Sequence, residues 1–105
     1  MSALIVLSTF PEVEEARTIA RTLVEEQLAA CATVIPGAES VYWWKGVIES
    51  SAEAMVFIKT TGAQYEQLQD RLKELHPNEL PEIVALEIKN GLPAYLEWII
   101  ANTGS

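Results

Sequence analysis

The stretch CATVIPGAESVYWWKGVIESSAEAMVFIKT, Cys31 to Thr60, decides how this chain folds. Cys31 to Ile35 is short, apolar and β-prone, and reads as a strand. Pro36-Gly37 cannot continue a ladder regularly, so a bend or bulge belongs there. Val41 to Ile48 resumes the strand through Tyr42, Trp43 and Trp44. The polar run Glu49-Ser50-Ser51-Ala52 reads as the hairpin turn, and Ala54 to Thr60 as the returning strand. Two strands therefore follow one another with no helix between them, which makes them an antiparallel pair.

On either side of this hairpin the pattern changes. Ala3 to Leu7 is apolar at every position, as in a strand covered on both faces. Thr9-Phe10-Pro11-Glu12 has the spacing of a capping box and opens a helix that runs to about Ala29. Val13, Ala16, Ala20, Leu23, Val24 and Leu28 recur at steps of three and four along it. Beyond the hairpin, Thr61 and Gln64 form a second capping box. Tyr65, Leu68, Leu72 and Leu75 stripe the second helix, which Pro77 terminates. Ile83 to Ile88 is the last strand. Asn90-Gly91 turns the chain, and Pro93 starts a short helix through Tyr95 and Trp98.

The order is β-α-β-β-α-β with a C-terminal helix, an α+β, ferredoxin-like arrangement. No composition shift or linker divides residues 1–105, so one domain is expected. Two helices cover one sheet face, yet the strands are apolar on both. An uncovered apolar face favours assembly through the sheets; the alternative is a face shielded by the terminal helix.

Charge narrows the partners. Seven Lys and Arg stand against fifteen Asp and Glu, a net charge of −8. Such a surface repels nucleic acid and anionic membranes. A single cysteine excludes an intrachain disulfide and a multi-cysteine metal site. Its free thiol, with no signal peptide evident, suits a cytoplasmic protein. Half of the residues are hydrophobic, which excludes a disordered tail.

Few residues carry chemistry. Cys31 is a soft metal ligand or a small buried hydrophobe. His76, the only histidine, is a metal ligand, a proton carrier or a helix-end residue bonding the last carbonyls. Glu79 and Glu82 share its two-proline loop, and Glu82 could instead pair with Lys59 or Arg71. Tyr42 and Trp44 lie on one strand face. With Tyr95 and Trp98 they line a cleft or pack an interface. Lys59 interrupts an apolar strand, and would meet either an anion in a cleft or a glutamate across subunits. No nucleophile–base–acid set and no Gly-rich phosphate loop is visible. An enzyme using His76 and Glu82 as acid and base is the least favoured reading.

A set of ordered motifs resembles the CutA family of divalent-cation tolerance proteins. They are Leu28-Ala29-Ala30-Cys31-Ala32, Ile35-Pro36-Gly37 through Tyr42-Trp43-Trp44-Lys45-Gly46, Ile58-Lys59-Thr60-Thr61, Leu75-His76-Pro77, Leu80-Pro81-Glu82-Ile83 and Tyr95-Leu96-Glu97-Trp98. They span nearly the whole chain. The resemblance implies a ferredoxin-like subunit, a homotrimer and a role in copper and divalent-cation tolerance. It points to copper or another divalent metal as ligand; the residues whose own chemistry could hold one here are Cys31, His76 and Glu82, and of these only His76 falls on a ligand position of the family. Family members with a copper assignment carry a cysteine where this chain has Ser8, and two histidines where it has Leu75-His76. Many have Tyr where this chain has Asn78. The similar trimeric architecture of PII signalling proteins implies an alternative role: a non-catalytic scaffold with a small-molecule cleft between subunits.

Overall fold

The computed structural model describes residues 2–104. The elements run β1 (Ala3–Phe10), α1 (Val13–Glu25), β2 (Cys31–Trp44), β3 (Val47–Thr61), α2 (Tyr65–Leu75), β4 (Val84–Glu87) and α3 (Pro93–Ala101). The strands form one antiparallel sheet in the order β2-β3-β1-β4. This is the ferredoxin-like topology expected from the element order.

Alternation along the strands separates two faces. Ala54, Val56, Ile58 and Thr60 of β3 are buried, and with Val6 and Phe10 of β1 they face the helices. Ala16, Ile19, Ala20 and Leu23 of α1, and Leu68 and Leu72 of α2, complete this core. Arg71 of α2 forks onto the Glu26 carboxylate at 2.8 and 2.9 Å and also pairs with Glu74, tying α2 to the end of α1.

The opposite face carries Ile5 and Leu7 of β1, Met55, Phe57 and Lys59 of β3, Cys31 and Thr33 of β2, and Val84 and Leu86 of β4. Helix α3 covers only one end of it, where Ile99 packs with Ala3 and Ala30 and against Ile88 and Leu96. The rest lies open: Val84 is 47% and Leu86 56% exposed.

Three local expectations are corrected. The hairpin turns at Lys45-Gly46, not at Glu49–Ala52, because Trp44 pairs directly with Val47. Lys45 and Gly46 have φ of 51° and 81°, the two left-handed residues of a tight hairpin whose twist matches the strands. Glu49 to Ala52 instead continue β3 opposite Glu39 to Tyr42. Neither capping box forms. The N-caps are Glu12 and Gln64, without side-chain caps, because β1 continues to Phe10 and β3 to Thr61. Burying Phe10 in the core keeps Thr9 in the ladder and out of a cap. Helix α1 also ends at Glu25, not near Ala29, where Gln27 turns left-handed at φ 60°.

Other expectations hold. The register shifts between Ile35 and Ala38, so Pro36-Gly37 is a bulge. Beyond it β2 and β3 project as an arm that exposes Val41, Ile48 and Trp43, the last at 71%. The arm contributes to a long molecule, 44 × 26 × 22 Å. Pro77 ends α2, with His76 already extended at ψ 134°.

Candidate functional site

The arm and the loop after α2 enclose a groove of about 760 Å³. Tyr42, Trp44, Ser51 and Glu53 line it from the hairpin, and Thr9 and Pro11 from the end of β1. Pro77, Asn78, Glu79, Leu80 and Glu82 close it from the loop. The lining combines aromatic rings with three carboxylates, a mixture that suits a small ligand carrying polar groups better than an apolar one. The Tyr42 and Ser51 hydroxyls lie 3.4 Å apart, and the Lys45 ammonium sits 5.6 Å from the Trp44 ring centre.

His76 lies behind the groove, buried. Its ring stacks on Phe10 with centres 4.3 Å apart. The Nε2–H donates to the Thr9 carbonyl at 2.8 Å, and the Asn78 backbone N–H donates to Nδ1 at 3.1 Å. These two bonds define the neutral imidazole. Burial holds its pKa below the ordinary histidine value, against the Thr9 carbonyl and the more distant Glu15 and Glu53 charges, which favour the proton. Both ring nitrogens are thus engaged by the chain itself. To ligate a metal, the ring must give up one of these bonds.

Cys31 lies elsewhere. It pairs with Lys59, which pairs with Ile5, whereas His76 holds Thr9, four residues along β1. That separates them by roughly 13 Å along the strand direction. Around Cys31 a second cluster forms: the Lys59 Nζ and the Tyr95 hydroxyl each lie 3.8 Å from its Sγ. Tyr95 stacks on Trp98 at 5.6 Å, and the Lys59 ammonium is 5.9 Å from the Tyr95 ring centre. The aromatic residues therefore divide into two sets. Tyr42 and Trp44 line the groove, while Tyr95 and Trp98 flank Lys59. Glu82 shares the groove with the His76 loop, and Arg71 pairs with Glu26 and Glu74 instead. Among the described residues, no three His, Cys, Asp or Glu side chains gather closely enough to hold a metal ion. Glu53, Thr9 and Asn78 of the groove were not among the site residues expected from the sequence, although Thr9 figured as a helix cap and Asn78 as a departure from the family. They come from segments far apart in the chain: the β2–β3 arm carries Glu53 to the groove, and the His76 bond holds the loop after α2 against Thr9.

The motif order and the topology match one family, and known proteins agree. The model for the CutA1 divalent ion tolerance protein family matches residues 4–102. The chain belongs to the CutA family. It is 48% identical over 100 residues to the divalent-cation tolerance protein CutA of Thermus thermophilus, covering 95% of this chain and 97% of that one. The crystal structure of CutA from Xylella fastidiosa superposes with a TM-score of 0.95 at 41% identity, covering 99% of this chain and all of the other. That of CutA1 from Oryza sativa gives 0.95 at 38% identity, covering 99% and 95%. The family description and the name of the Thermus relative speak of tolerance to cations rather than of a reaction.

Proposed function

We propose that this CutA chain serves divalent-cation tolerance as a cytoplasmic homotrimer assembled through its open sheet face, and that it binds copper or a related divalent ion weakly. The observation that carries the tolerance role is membership of a family whose model and relatives bear that description over almost the entire chain. The open apolar patch of Leu86 and Ile5 in one row and Val84, Leu7 and Phe57 in the next supports assembly, because apolar area of this kind is costly to leave in water.

Weak binding follows from the donors. Copper favours thiolate or several imidazoles in fixed geometry. One chain supplies one thiol and one imidazole, well apart, with the imidazole already hydrogen-bonded. A tight site within one chain does not fit these residues, so Cys31, His76 and Glu82 act as separate, peripheral ligands unless subunits bring them together. Competition against chelators of known affinity tests this reading. It predicts weak binding, with Cys31→Ser and His76→Ala acting independently. Tight binding abolished by either change contradicts it.

The groove favours a second reading, a PII-like trimer that holds a small molecule beside Tyr42 and Trp44. A small molecule retained in native mass spectra, and lost in Trp44→Ala, would favour it over metal binding.

A further inference from the structure

Lys59 stands half-buried on the open face with no carboxylate within ion-pair distance among the described residues. Its polar neighbours are the Cys31 thiol and the Tyr95 phenol. A cation held partly out of water beside an apolar sheet is costly until an anion meets it. The chain carries more than twice as many acids as bases. At the other end of the same face, Glu79 and Glu82 flank Leu80, which is 74% exposed. Neither glutamate makes an ion pair among the described residues.

Glu82 stands two residues before Val84, outside β4, and lines the groove with Thr9 on the side of the sheet that carries Val84, Leu86 and Lys59. Lys59 lies in the row of Leu86 and Ile5, whereas Glu82 extends past the row of Val84 and Leu7 toward Thr9. They are roughly 13 Å apart along the strands and about two strand spacings, ~10 Å, across. They cannot meet within one chain. A cyclic trimer, however, is closed by contacts between two different patches of the same subunit. A face with its cation at one end and its carboxylates at the other suits that head-to-tail arrangement.

We propose that the Lys59 ammonium of one protomer receives the Glu82 carboxylate of the next, with exposed Leu80 seated against the stacked Tyr95 and Trp98. This rests on the homotrimer reading and assigns its polar contact. The Cys31–Lys59–Tyr95 cluster is then one half of an intersubunit joint, completed by the loop that ends the neighbour's groove.

Subunit exchange between isotope-labelled and unlabelled protein, followed by native mass spectrometry, tests it. Charge reversal of a partly desolvated pair accelerates dissociation. Lys59→Glu and Glu82→Lys should each speed exchange by about tenfold or more. The double variant should return most of the way to wild type, whereas Lys59→Glu with Glu79→Lys should not. Charge-removing Lys59→Met, checked by circular dichroism for folding, should weaken the salt dependence of exchange. Unchanged exchange in the single variants, or a double variant as fast as the two effects combined, overturns the pairing while the trimer stands. A wild-type protein that is monomeric throughout overturns both.

Discussion

The Nε2–H of His76 donates to the Thr9 carbonyl at 2.8 Å, fastening the end of α2 to the end of β1. The single histidine of the chain thereby acts as a joint between two elements and forms the back of the groove. Its protonation is linked to the stability of the fold.

Burial lowers the native pKa of His76, so the unfolded chain, with its histidine near 6.5, binds more protons below that value. Stability is full above the unfolded pKa and declines as pH falls through it toward the depressed native one. Protonation also removes the acceptor that Nδ1 offers to the Asn78 N–H. Thermal unfolding measured from pH 7.5 to 5.5, windows taken as about these values, should show a falling midpoint in wild type. His76→Gln should flatten that fall while lowering the midpoint at neutral pH.

Two buried hydroxyls on the helix-facing side should respond oppositely to removal. Ser8 Oγ is buried without a hydrogen-bond partner among the described residues. Ser8→Ala removes an unpaired polar atom and should leave stability unchanged or raise it by up to about 1 kcal/mol. Thr60 Oγ1 instead donates to the Leu28 carbonyl at 2.7 Å. Thr60→Val strands that carbonyl and should cost about 1–3 kcal/mol. Urea denaturation at constant protein concentration measures both.

The element order was legible because the helix stripes repeat at steps of three and four, while the short apolar runs are rich in β-branched residues and bounded by turn residues. The Pro36-Gly37 bulge and the stop at Pro77 were legible for covalent reasons, since proline cannot donate to a ladder or follow a helical residue freely. The hairpin tip was not. Glu49-Ser50-Ser51-Ala52 has turn-like composition, but on an arm that exposes both faces polar residues sit in strands at no cost. The groove was half visible. Glu79 and Glu82 stood out beside His76, whereas Glu53 joins them only through the reach of the arm and Thr9 only through the long-range bond to His76. The split between the Tyr42–Trp44 and Tyr95–Trp98 pairs depends on which end of the face α3 covers, and no local pattern encodes that.

The corrected turn yields its own test. Nothing lies within 4 Å of a Cβ placed on Gly46, so only its φ of 81° opposes a side chain. Gly46→Ala should destabilise by about 1–2 kcal/mol. Lys45→Asn should stabilise slightly, because Asn tolerates the left-handed conformation better. Substitutions at Ser50 or Ser51 by Thr, a better strand former, should be tolerated or stabilising by a few tenths of a kcal/mol. The reverse ranking in denaturant midpoints would return the turn to Glu49–Ala52.

Assembly through the sheets is central, because among the described residues the open patch of Ile5, Phe57, Val84 and Leu86 has no cover within the subunit beyond α3. Sedimentation equilibrium across the micromolar range and below tests it most directly. The expected result is a species of three times the 11.6 kDa chain mass that persists on dilution, with unfolding midpoints that rise with protein concentration. A well-folded monomer at micromolar concentration, with a midpoint indifferent to concentration, would contradict it.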